Sequence, residues 1–199
     1  WDSSYEVAWN WLWDNVERVL QRSLGKPAVL ETALELLMSQ LDEDTRYELG
    51  QDIFTRFFAS APAGQEHLKQ SDMRLHFIAE QVHSLSLSLF RDPWKIVDDV
   101  TALGLRHVGY GIPTELIGPF ITEYIAAMTT VTKDAATLDA YRWSLGLISR
   151  MFTRTIQEGS TIVMKAVNAN CAKQLRKAVG GAPRKSRASW LLKVEAGSQ

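Results

Sequence analysis

Few residues in this chain of 199 could carry out chemistry. Its single cysteine, Cys171, excludes a disulfide framework and a cysteine-based zinc site. The sequence also lacks a phosphate-binding loop, an HExxH metalloprotease motif and a GxSxG nucleophile elbow. No nucleophile is paired with a base, so we expect that the protein is not an enzyme. The candidates that remain are its four histidines.

His107 stands out among these histidines by its position. Apolar spacing predicts a short helix that opens at Pro93 and ends near Arg106. The segment 107–119 contains three glycines and two prolines, which predicts a corner followed by a long helix. A histidine at such a helix end can interact with the negative end of the helix dipole. It can also be a metal ligand, since neutral imidazole binds transition metals well.

The stretch 103–113, LGLRHVGYGIP, resembles the globin signature around the proximal histidine, the residue that ligates haem iron. In globins that histidine ends one helix, an apolar residue follows about five positions later, and a long helix then begins. His107, Ile112 and the helix predicted to open near Pro119 match these three features. The stretch 53–62 is similar to the second globin helix and its proline, and 142–156 is similar to the last globin helix. The resemblance covers about residues 33–160.

The resemblance implies an all-α, globin-like fold and a haem-binding domain that reversibly binds oxygen or another diatomic gas. His107 would then ligate the iron of haem b, with its other ring nitrogen donating to a backbone carbonyl one turn back, such as that of Leu103. The side chains that would line the haem slot on this resemblance are Phe54, Phe58, Leu103, Ile112 and Ile117. Leu68 stands where globins almost always carry a phenylalanine stacked on the haem.

The distal side of the haem has two possible registers. In one, His76 takes the distal position and hydrogen-bonds bound gas, but Glu80 then points toward the haem, where a lone buried carboxylate is costly. In the other, Leu75, Phe77 or Ile78 takes that position. His67 and His83 are expected at the surface.

The rest of the chain is predicted to be helical, with almost no strand signals. Its composition, 46% hydrophobic and 23% charged, is that of a globular protein. We expect an N-terminal helical extension over 1–32, a globin-like domain over 33–160, and a basic C-terminal helix and tail over 161–199. The first residue is Trp rather than Met, which suggests a piece of a longer protein.

Both extensions suggest contacts with a protein partner. Trp9 and Trp13 share one face of the predicted first helix, whereas Trp11 points elsewhere. The segment 163–199 carries eight Lys or Arg and one acid, a net charge of +7, and the remainder carries −8. The alternative for the tryptophans is that they pack on the C-terminal helix and Trp190. The alternatives for the basic segment are that it clamps to the acidic body of the same chain, or that it is a solvated helix face followed by a mobile tail.

Charge and hydropathy limit the other partners and the location. The overall net charge of −1 argues against nucleic acid as a partner. No apolar run approaches the ~18 residues of a transmembrane helix, and the single cysteine fits an intracellular setting. The rival function is a haem-free globin-like structural or interaction module within a larger protein or assembly. A third hypothesis is a haem sensor that signals to a fused domain.

Overall fold

Helices make up nearly all of the part of the chain that the structure describes. The computed structural model describes residues 2–24, 27–68 and 71–181, and these ranges hold ten α-helices, one 3₁₀ turn and no strand, which confirms the all-α prediction. The part of the basic segment beyond residue 181 lies outside the described residues. The helices are α1 (Ser3–Leu24), α2 (Pro27–Gln40), α3 (Glu43–Ser60), α4 (Gly64–His67), α5 (Asp72–Arg91), α6 (Pro93–Tyr110), α7 (Ile117–Val131), α8 (Ala135–Gly159), α9 (Ile162–Asn168) and α10 (Ala172–Gly181).

The main core lies among α2, α3, α5, α7 and α8, which pack against one another in several pairs. Each of these helices is apolar at spacings of three and four residues, so each buries one face. The buried members of this first cluster are Leu34, Leu37, Leu49, Ile53, Phe54, Phe57, Leu75, Ala79, Tyr124, Ala127, Met128, Ala140, Tyr141 and Leu145. Removal of this apolar surface from water is the main force that holds the bundle together.

A single residue, Asp92, joins α5 to α6. Its backbone N–H donates to the Ser88 carbonyl at the end of α5, at 2.8 Å. Its carboxylate accepts the backbone N–H of Lys95 at 2.9 Å and so caps the start of α6. Pro93 follows at the first turn of α6, where its missing N–H is not needed. The two helices therefore meet at a fixed joint.

The helix α6 packs most extensively against α8. At this contact lies a second cluster of four buried residues, Leu89 of α5 together with Ile96, Val100 and Ile148. One turn further along, Gly104 lets the two backbones approach closely, since a Cβ atom there would lie only 2.7 Å from Cγ2 of Thr155. A third cluster, formed by Val108, Ile156 and Met164, adds α9 to this side of the bundle.

Replacing Gly104 by alanine should destabilise the protein by about 1–3 kcal/mol, because the added methyl group overlaps Thr155. The matched control is Gly146→Ala in α8, where the nearest atom is the guanidinium of Arg150 at 3.7 Å. Because alanine has a higher helix propensity than glycine, Gly146→Ala should leave the stability unchanged or raise it by up to about 1 kcal/mol. Urea unfolding followed by far-ultraviolet circular dichroism measures both. Equal stability of the two variants would contradict the close contact.

Two helix boundaries differ from the sequence prediction. The helix α6 continues to Tyr110, one turn beyond the predicted end near Arg106, and Gly111 ends it in the left-handed conformation with φ of 66°. The single helix expected at the start of the basic segment 161–199 is two helices, α9 and α10, separated at Asn170, which has φ of 47°. Asparagine tolerates this conformation better than most residues.

The first helix, α1, differs from the others in its exposure. All of its described side chains are exposed except those of Asn15 and Val16, which are half-buried. None of the extensive helix–helix contacts among the described residues involves α1. Within the described ranges, no helix combines the length and the apolar character needed to cross a bilayer.

Candidate functional site

His107 lies in the last turn of α6, and its ring is held by its own helix. The Nδ1 atom lies 2.9 Å from the carbonyl oxygen of Leu103, which confirms the bond expected from the sequence. A carbonyl can only accept, so Nδ1 carries the proton and donates it. The Nε2 atom is therefore left with a lone pair, which is the form of imidazole that binds a metal ion.

The surroundings of His107 keep its ring neutral. The ring packs edge-on against Phe152 of α8, with ring centroids 4.8 Å apart, and against Tyr110 at 5.7 Å. This burial lowers the pKa of His107 below the ordinary value of 6.5, although the bond to the Leu103 carbonyl favours the protonated form. At neutral pH the imidazole is therefore uncharged and oriented.

Three of the predicted haem-slot residues lie near His107. Leu103 supplies the accepting carbonyl, and the backbone N–H of Ile112 donates to the carbonyl of His107 at 3.4 Å. Ile117, at the start of α7, packs in the same third cluster as Phe152. Because Leu103, Ile112 and Ile117 are all partly exposed, this side of the site is apolar and accessible.

The other three predicted haem-slot residues lie in the main core instead. Phe54 is 1% exposed, and its ring centroid lies 5.9 Å from that of Phe58 and 5.7 Å from that of Phe120. Phe58 and Leu68 are partly buried and pack against the same cluster. The predicted slot residues are thus divided between the main core and the surroundings of His107.

His76 faces α3. Its ring centroid lies 5.4 Å from that of Tyr47, and a Cβ atom on Gly50 would lie 3.2 Å from its Nδ1. That Nδ1 atom is buried and has no hydrogen-bond partner among the described residues. Leu75, one residue earlier, points into the main core. His76 and His107 share no contact residue among the described interactions, so the structure does not bring these two histidines together.

The carboxylate of Glu80 pairs with the guanidinium of Arg46, at 3.8 Å. Both side chains are about one-third exposed. When His76 is aligned at the distal position, Glu80 is expected to be an unpaired carboxylate that faces the interior. In the structure Glu80 is paired with Arg46 instead. Leu75, on the same helix, is buried in the main core.

The expectation that His83 lies at the surface is wrong. His83 is 8% exposed, and its Nδ1 lies 2.6 Å from the hydroxyl of Tyr141. The hydroxyl of the neighbouring Tyr124 donates to the carbonyl of Ala79 at 3.2 Å. Sequence reasoning also missed Phe152 as the ring that packs on His107. Both contacts join residues more than 40 positions apart, and no local pattern encodes them.

Comparison with protein-family models, with curated proteins and with solved structures finds no match to this chain. The function is therefore argued from its own residues. Within the described ranges, no three His, Cys, Asp or Glu side chains cluster as a metal site would require. Haem needs only one protein ligand for its iron, so this finding does not bear on haem binding.

An open groove of about 520 Å³ lies away from His107, between α2 and the start of α8. It is lined mostly by small apolar and hydroxyl side chains, namely Ala28, Val29, Thr32, Ala33, Leu36, Leu37, Gln40, Thr132, Asp134, Ala136 and Thr137. The only ionisable group in this lining is the carboxyl of Asp134, which is used to cap α8 through the N–H of Thr137 at 2.8 Å. The groove therefore offers no evident chemistry.

Proposed function

We propose that this chain is a globin-type haem protein in which His107 is the single protein ligand of the iron. The observation that carries this proposal is the hydrogen bond from Nδ1 of His107 to the Leu103 carbonyl. It fixes the tautomer and the ring plane that an axial ligand needs, in a sequence that resembles the globin proximal motif. Haem b bound there would supply an iron that binds oxygen or another diatomic gas reversibly.

The residues around His107 fit a haem on the proximal side. Burial keeps the imidazole neutral, and Leu103, Ile112 and Ile117 provide a partly exposed apolar surface beside it. Phe152 fixes the ring from the side of α8. The contacts of His76 with Tyr47 and Gly50 direct it toward α3, so we assign it no role in holding bound gas.

The test is titration of the purified protein with hemin, followed by its absorption spectrum. We expect a Soret band that saturates at one haem per chain and is lost or strongly shifted in His107→Ala. His67→Ala, which removes a histidine outside the site, should leave the spectrum unchanged. Added imidazole should restore the band in His107→Gly, because it can replace the missing ligand. Failure of this rescue would indicate a purely structural role for His107.

The second candidate function is a haem-free structural or interaction module. It is supported by the aromatic packing of the main core, where Phe57 and Phe120 contact edge to face at 5.4 Å and Phe120 also contacts Phe54. In this alternative the His107–Leu103 bond serves only to close the end of α6. A folded, helical protein that takes up no hemin at one-to-one stoichiometry would favour this module and reject the haem proposal.

A further inference from the structure

The helix α1 carries an apolar stripe with the spacing of a coiled-coil seam. Its members are separated by steps of four, three, four and three residues: Tyr5, Trp9, Leu12, Val16 and Val19. These steps average 3.5 residues, the repeat that keeps one stripe facing a partner helix along its whole length. Trp13 and Leu20 widen the stripe on one side, and Trp9 contacts Trp13 edge to face at 5.8 Å.

This stripe is largely open to solvent. Leu12, Trp13 and Leu20 are 45%, 52% and 51% exposed. Helices in proteins gain most of their stability by burying an apolar face rather than from intrinsic helix propensity. A row of half-exposed aromatic and aliphatic side chains on one face therefore indicates a surface that another helix covers.

We propose that α1 pairs with α1 of a second copy of this chain to form a two-stranded coiled coil. A partner helix must present apolar residues at the same 3.5-residue repeat. A second copy of α1 meets this requirement because its sequence is identical. With Trp9 and Val16 at the first core position of each heptad, Leu12 falls at the second. Val16 at the first position and Leu12 at the second are residue types that favour two strands over three or four, whereas Val19 takes the second position of the next heptad.

The charges along α1 are compatible with self-pairing. In this register, the only charged residues at positions flanking the seam within α1 are Glu6 and Arg22. Neither a parallel nor an antiparallel arrangement then places two like charges opposite each other across the seam. The remaining charged residues of α1 lie outside these flanking positions, so pairing does not require a charge to be buried.

The apolar area of the α1 stripe is large enough for a specific dimer interface. Covering the exposed halves of three aromatic and four aliphatic side chains would remove roughly 600 Å² from each helix. The total for two helices is about 1,200 Å², the lower limit for specific protein–protein interfaces. We therefore expect a reversible dimer rather than an obligate one.

The test is sedimentation equilibrium of the whole chain over a range of concentrations. We expect a monomer–dimer equilibrium with a micromolar Kd, and we expect Leu12→Glu/Val16→Glu to raise that Kd about 100-fold or more. The matched pair is Trp13→Gln, which changes the stripe, and Trp11→Gln, which changes a 67% exposed tryptophan on the opposite face. Only Trp13→Gln should weaken dimerisation.

The folded state of each variant is checked independently. Because α1 takes no part in the extensive contacts of the bundle, the thermal unfolding of the core should be nearly unchanged in all four proteins. A protein that stays monomeric at high micromolar concentration would overturn the proposal. So would a dimer that Trp11→Gln weakens as much as Trp13→Gln does, since pairing would then not use the stripe.

Discussion

Replacing Phe57 by alanine should lower the free energy of unfolding by about 4 kcal/mol, because it leaves a cavity in the main core. The side chain is 2% exposed and contacts the rings of Phe58 and Phe120 at 5.5 and 5.4 Å. Urea unfolding monitored by circular dichroism measures the change.

The matched control is Phe77→Ala in α5. Phe77 is 46% exposed, and its main described partner is the guanidinium of Arg74, which lies 5.0 Å from the ring centroid. Loss of this contact should cost no more than about 1 kcal/mol. If the two substitutions cost the same, the assignment of Phe57 to the core would be wrong.

The contact between Phe57 and Gly64 allows a second test of the position of the Phe57 ring. The ring of Phe57 occupies the space where a side chain at position 64 would lie, with the nearest ring atom 2.6 Å from an added Cβ. Gly64→Ala should therefore destabilise the native protein but be tolerated in the Phe57→Ala background. A double-mutant cycle measures this coupling, and strict additivity would show that the ring can move aside.

Acidification should destabilise the protein through His83. Burial, with a smaller contribution from the positive charge of Arg46, lowers the pKa of His83 from 6.5 to about 4 in the folded state. Unfolding exposes the ring and restores its ordinary pKa, so the unfolded chain binds a proton between these two values and the folded chain does not. The stability is therefore complete above about pH 6.5 and is lost as the pH falls toward 4, by about 3 kcal/mol.

The groups around His83 define the control for this prediction. The hydroxyl of Tyr141, whose pKa burial raises, stays protonated and forms a hydrogen bond with Nδ1 of His83. The charge of Arg46 acts on His83, and that of its partner Glu80 acts on Tyr141. The double substitution His83→Leu/Tyr141→Phe removes the titrating group and its partner together. Its free energy of unfolding should vary between pH 7 and 4 by about 3 kcal/mol less than that of the native protein, and an unchanged slope would contradict the assignment.

Local features of the fold were predictable from the sequence because their causes are local. Pro93 begins α6, and a hydrogen bond one helical turn long links His107 to Leu103. The predicted end of α6 near Arg106 is one turn too early, because Gly109 does not belong to the corner that the glycines and prolines of 107–119 predict. It lies within the helix instead, where a Cβ atom would meet the side chain of Asn168 in α9 at 3.0 Å.

The orientation of α5 was harder to predict because two apolar stripes compete on that helix. In the sequence, Leu75, Ile78 and Val82 form an apolar stripe along one face of the helix, and His83 lies outside that stripe. In the structure the buried positions include Leu75, Ala79 and His83, and Val82 is only partly buried. The hydroxyl of Tyr141 forms a hydrogen bond with the ring of His83, which lowers the cost of burying that ring. Tyr141, however, lies 58 positions away in the sequence. Pairings of this range depend on tertiary packing.

The long helix α8 has a consequence for the order in which the protein can form. It contacts α2, α5, α6 and α7, so the parts of these four helices that face α8 remain uncovered until α8 is present. A chain growing from the ribosome must therefore expose these apolar faces until residue 159 or so has emerged. During synthesis the earlier helices can pair among themselves, as α3 does with α5 and α7, but the bundle closes only after α8 has formed.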